Sequence, residues 1–167
     1  MAQEKAKLPK DAEAEYLRRS FKAVDGLWFV KVEQSHGLEA ALDLDRQVWE
    51  VTGKIQVRTA KKILDIQSDR LEDLAQCLQL KFSAENYQVE IKHTEDSSLE
   101  LQVLRCPWLE ALRKSERMHL GPAIADKVCA ADYGAWAQEF NKTLEFCPAD
   151  TRCAKAPTCR VRFVDMK

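Results

Sequence analysis

The sequence lacks any long hydrophobic run. Its longest apolar stretch, GLWFV at residues 26–30, is far short of the roughly 20 apolar residues that span a bilayer. It also lacks charge of one dominant sign, with 26 basic against 27 acidic residues. No general pull toward nucleic acid or an anionic membrane follows, and no basic cluster is interleaved with aromatics. The expected partners therefore include no nucleic acid and no membrane. No apolar segment follows the charges of MAQEKAKLPKDAEAEYLRR at the amino terminus, so no secretory signal is expected. The default setting is cytoplasmic, where thiols stay reduced. G-x-G-x-x-G, P-loop and G-x-S-x-G patterns are all absent, which leaves nucleotide binding and serine hydrolase chemistry without support.

What is present is an ordinary globular composition, 46% hydrophobic and 32% charged over 167 residues, enough for one domain with its own core. Residues 1–82 read as a helical part and 83–167 as an antiparallel sheet with two helices. Leu17, Phe21, Val24, Trp28 and Val32 recur three and four apart and predict one apolar helix face. Asp11 stands where an N-cap belongs, and His36-Gly37 supplies a C-terminal stop. A second long helix is predicted from about Leu38 to Leu64, with Leu38, Leu42, Val48, Trp49, Ile55 and Ile63 as core positions and Gly53 as a bend. A third, DRLEDLAQCLQL, turns Leu71, Leu74 and Leu78 inward, with Cys77 as a small buried hydrophobe.

After Phe82 the period switches to two. Tyr87, Val89 and Ile91 alternate with polar neighbours, TEDSS makes a turn, and Leu99, Leu101 and Val103 alternate again, predicting a β-hairpin that Pro107 ends. Helices follow in WLEALRKSER and from Pro122 to Phe140, then two strands, KTLEFC and TCRVRF. Blocks of helices and strands of this kind predict an α+β fold with an antiparallel sheet.

Five of six cysteines fall in the last 62 residues: Cys106, Cys129, Cys147, Cys153 and Cys159. Strand ends and a helix face bring them toward one another, and four soft ligands suit Zn²⁺ or an iron–sulfur cluster. No C-x₂-C pair is present. The alternatives are a cysteine-rich core, or a reactive thiolate activated by Arg105 or Arg152. Elsewhere, Glu33 and His36 form a single E-x-x-H, and His119 lies near the cysteine region as a candidate ligand or base. His93 carries no signal. Asp25, Glu33, Asp43 and Asp45 form an acidic set at the junction of the long helices, and burial of Asp25 or Asp45 beside Trp28 or Trp49 would mark a binding role. Trp28, Trp49, Trp108 and Trp136 can line a pocket or pack a core.

DGLWFVKVEQSHGLEAALDLDRQVW, together with RCPW, CPAD and a last C-x-V-x-F strand, resembles a family of small cytosolic proteins related to L-2-amino-thiazoline-4-carboxylic acid hydrolase. The resemblance spans about residues 16–163 and implies a hydrolase opening a C–N or C–S bond of a small molecule. The carboxyl half is similar, more distantly, to the 4-vinyl-reductase-type domain. That resemblance implies a small-molecule-binding fold with zinc held by Cys129, Asp150, Cys153 and Cys159. Here the last two cysteines stand closer than in that domain, and a glycine usual there is missing. Cys106 and Cys147 are extra; they would replace Asp150 or complete a four-cysteine site. The sequence thus predicts a metal-binding protein with zinc, or alternatively a [4Fe–4S] cluster, and a small-molecule ligand. An iron–sulfur redox protein is the third reading. The two long amphipathic helices can pack within the chain or form part of a homodimer face.

Overall fold

A computed structural model describes residues 9, 11–94 and 97–166. Of the predicted turn, Glu95 and Asp96 lie outside the described residues. Helix α1 covers Ala12–His36 and α2 covers Leu38–Leu64. Gly37 alone separates them, at a φ of 87° that side chains rarely adopt. The chain folds back there, so that Phe21 meets Trp49 edge to face at 6.2 Å. Asp11 precedes α1 as expected, but its side chain makes no cap hydrogen bond. Helix α3 spans Leu71–Ala84 and leads into the hairpin of β1 (Gln88–His93) and β2 (Ser98–Arg105).

Pro107 does end the strand, by opening helix α4 (Pro107–Lys114) at its first position. A helical run follows from Gly121 to Glu139, in three parts: α5 (Gly121–Ile124), a π-helical turn (Ala125–Cys129) and α6 (Ala130–Glu139). Strands β3 (Lys142–Phe146) and β4 (Cys159–Asp165) close the chain. The sheet is antiparallel throughout, in the order β1-β2-β4-β3. The fold is α+β.

One face of the sheet makes the core. Leu99, Leu101 and Val103 of β2 stand opposite Phe163, Val161 and Cys159 of β4, and all six are buried against Leu74, Cys77, Leu78 and Phe82 of α3 and Trp136 and Phe140 of α6. Full burial of each such side chain stabilises the fold by about 1.5–3 kcal/mol. The predicted inward residues of α3, Cys77 included, are all buried.

The long helices depart from expectation. Only Val32 of the five predicted α1 positions is buried, while Leu17, Val24 and Trp28 are 65%, 68% and 63% exposed. On α2, Leu42 and Trp49 are buried, but Val48, Ile55 and Ile63 face solvent. The reason is geometric: α1 turns Lys22, Asp25 and Phe29 toward the body, a stripe displaced from the predicted one, which joins it only at Val32. Gly53 does not bend α2. It is a point of close approach, because a Cβ there would stand 2.8 Å from the Cβ of Ala135 on α6.

Candidate ligand cavity and thiol cluster

Between α1, α2, α4 and the π-helical turn lies a cavity of about 370 Å³, within the usual size range of small-molecule sites. Its wall is mainly apolar and aromatic. Trp108, carried at the second position of α4, meets Trp49 at 5.5 Å and Phe21 at 5.9 Å, both edge on. Phe29 of α1 and Tyr87, just before β1, add two more rings to the lining. Trp28 and Trp136 take no part: the first is exposed on the outside of α1, and the second is wholly buried in the core.

Two carboxyls interrupt the apolar wall. Asp25 of α1 and Asp45 of α2 are half-buried in the lining. Burial raises Asp25 to about 6, assisted by the charge of Glu85 and opposed by the Trp49 indole. Burial likewise raises Asp45 to about 7, with the charge of Asp25 adding to the shift and Trp49 again opposing it. Burial thus brings both carboxyls toward neutral pH, where a protonated member donates and an ionised one accepts. Asp43 and Glu33 of the same acidic set are structural. Asp43 pairs with Arg46 at 3.1 Å, and Glu33 pairs with Arg117.

Behind the wall sits a buried charge network. Lys81 of α3 reaches Glu85 at 3.1 Å, Asp132 of α6 at 3.2 Å and the Gln56 side-chain oxygen at 2.7 Å. Burial works against the Lys81 ammonium, but the carboxylates of Asp132 and Glu85 outweigh it and hold its pKa up. Burial raises Asp132. One ammonium serves two carboxylates here, and one oxygen of each, Glu85 Oε2 and Asp132 Oδ1, has no hydrogen-bond partner. Lys81 is held charged between the two carboxyl groups.

At the opposite side from α1 the wall carries thiols. Cys106, Cys129 and Cys153 line the cavity. Cys106 is the N-cap of α4, and its Sγ accepts a hydrogen bond from the Leu109 N–H at 3.4 Å. Cys129 ends the π-helical turn, a local widening often found at functional sites. Cys153 sits in a 3₁₀ turn, Arg152–Ala154, pressed onto Gly121. Cys159 opens β4 behind them, and its Sγ accepts the Arg152 N–H at 3.2 Å.

Burial pushes all four thiols up, Cys153 to about 12; Cys106, Cys129 and Cys153 also feel the charge of at least one other cysteine, whereas backbone hydrogen bonds from Arg152 and Cys153 oppose the shift at Cys159. These shifts lend the activated-thiolate reading no support. Arg105 is engaged by Glu110 at 2.7 Å, and the Arg152 guanidinium, which donates to the Leu104 carbonyl, only partly offsets burial at Cys153 and Cys159.

Cys147 stands apart, exposed at the end of β3. Asp150 is exposed too, although its charge raises Cys159. His36, His93 and His119 are all exposed, and the E-x-x-H of α1 gathers no second copy. The donor chemistry of the four gathered cysteines fits a soft metal, because a cation would turn neutral buried thiols into thiolates. Their spacing is looser than that. Among the described residues, no three His, Cys, Asp or Glu side chains are already gathered closely enough to hold one metal ion.

The sequence marks Asp25 and Asp45 only through the condition that either be buried beside Trp28 or Trp49, since helices alone do not show which acids meet. The network of Lys81, Glu85 and Asp132 left no sequence signal beyond a lysine in an otherwise apolar helix stripe. Among the described residues, no helix is long and apolar enough to cross a membrane.

Residues 9–164 match the model of a family described as "Family of unknown function (DUF6125)". No curated protein and no solved structure matches the chain.

Proposed function

We propose that this chain, which belongs to the DUF6125 family, binds a small, largely apolar molecule in the cavity between α1, α2 and α4, with a soft metal held by the thiols in its wall. The observation that carries the reading is the cavity itself: one wall presents the Asp25–Asp45 pair and another presents Cys106, Cys129 and Cys153. Aromatic rings take the apolar body of the ligand, and the carboxyl pair meets a hydrogen-bond-donating group at its end.

For the metal, the four gathered cysteines are the ligand set and Cys147 is outside it. Zinc is the first assignment and a [4Fe–4S] cluster the alternative, with the thiols rotating inward to close the site. Metal supplies the positive charge that four buried thiolates require. A second reading is hydrolysis of a C–N or C–S bond, as the resemblance to the thiazoline carboxylate hydrolases implies. It is favoured by one observation: two carboxyls raised to about 6 and 7 stand in the cavity wall, in the range where an acid and a base both work near neutral pH.

Titration with the uncharged dye N-phenyl-1-naphthylamine tests the cavity. The dye should brighten on binding the wild-type chain. Ala111, an exposed α4 residue at the cavity's edge, becomes the control: Ala111→Trp should abolish the signal while leaving the melting temperature unchanged. Equal binding by both proteins would place the dye elsewhere and remove the support for this cavity.

A further inference from the structure

The outer side of the α1–α2 hairpin is apolar and uncovered. Leu17, Phe21, Val24 and Trp28 run along α1 at spacings of four, three and four, and Leu44, Val48, Val51 and Ile55 repeat the same spacing on α2. All eight are exposed, between 41% for Phe21 and 68% for Val24. Phe21 meets Trp49 edge to face, so α1 and α2 lie side by side, and each turns its stripe to solvent rather than to the body.

We infer that this face is the interface of a homodimer, in which a second copy of the same hairpin packs against it to form a four-helix layer. Two features select a second copy as the occupant. The eight side chains leave on the order of 900 Å² exposed, against about 800 Å² per partner in a standard-size interface. No charged residue interrupts either stripe, as a dimer core requires and a transient contact does not.

Helix α1 also lines the cavity, through Ala23, Gly26 and Phe29, so the dimer braces a wall of the binding site. The cavity itself is complete within one chain, and the dimer stands or falls without it.

Sedimentation velocity of the full chain tests the inference. A chain of 19.1 kDa should sediment as a species of twice that mass at concentrations on the order of 1–100 μM. Val24→Glu and Val48→Glu, one on each helix and both at exposed positions, should each give a monomer with unchanged helical circular dichroism. A wild-type chain that remains monomeric across that range overturns the inference and leaves the face to a different partner. A dimer that survives both substitutions overturns it as well, by placing the contact elsewhere. Should either variant lose its helical signal, Val51→Lys repeats the measurement at a third exposed position of the face.

Discussion

Gly121 and Cys153 are in contact through their backbones. A Cβ at Gly121 would stand 2.9 Å from the Cys153 carbonyl oxygen and 3.3 Å from its Cβ. The start of the helical run that ends in α6 thus fixes where the Cys153 turn rests, and it fixes the thiol with it. Gly121→Ala should displace that turn. We expect a loss on the order of 1–3 kcal/mol in urea unfolding, together with weaker metal retention. Gly26→Ala, where a Cβ meets nothing within 4 Å, should change neither, apart from a small gain in helix stability. Equal behaviour of the two variants would show that the contact does not position Cys153.

The acid pair predicts a pH dependence of stability. Asp25 and Asp45 titrate at about 6 and 7 in the folded chain and near 3.8 when unfolded, so the folded state binds more protons between those values. Stability from this pair is full below about pH 4 and is lost as pH rises through 6 and 7. Asp25→Asn removes one charge and relieves Asp45 of its nearest like neighbour. It should raise the melting temperature at pH 8, by an amount corresponding to about 1–2 kcal/mol, and have little effect at pH 4. A variant equally destabilised at both values would contradict the assignment.

Lys81 holds two buried carboxylates, so its removal should be costly. Lys81→Met leaves Asp132 and Glu85 facing each other without a cation, and we expect a loss of about 3–5 kcal/mol in urea unfolding. Adding Asp132→Asn to it should restore part of that loss. If the double variant lost the two single effects added together, the groups would be acting independently and not as one network.

Metal content distinguishes the cysteines. Protein purified without oxygen should carry one equivalent of zinc per chain, lost in Cys153→Ser or Cys159→Ser and kept in Cys147→Ser. A brown protein with broad absorption at about 400 nm would replace zinc by a cluster. No metal in the wild-type chain would remove the metal from the account and leave four buried thiols as cavity wall and core.

Much of the fold is legible in the sequence because its signals are local. The single glycine between two uninterrupted helical runs places the α1–α2 turn, the shift from period 3.6 to period 2 after Phe82 places the hairpin, and Pro107 marks the end of β2. What periodicity does not carry is what each face meets. The stripe from Leu17 to Trp28 has the spacing of a core face, yet it points to solvent, because an apolar stripe has the same pattern whether it covers the chain's own body or another surface. Gly53 read as a bend and is a helix contact, a distinction that depends on Ala135, some eighty residues further on. The cysteines are visible as a set, but not that Cys147 stays at the surface. That depends on the path of residues 147–158, where two 3₁₀ turns carry Cys153 inward to Gly121 and leave the end of β3 at the surface. Asp25 and Asp45 converge only because the chain reverses at Gly37.

The claim that the cavity and the thiols form one site is tested most directly by alkylation. Metal-stripped protein is treated with iodoacetamide, with and without saturating N-phenyl-1-naphthylamine, and each cysteine is followed by peptide mass spectrometry. Cys106, Cys129 and Cys153 should react slowly and slow further when the dye is bound, while Cys147 reacts fast in both conditions. Dye bound with no change at any of the three cavity cysteines would contradict the account.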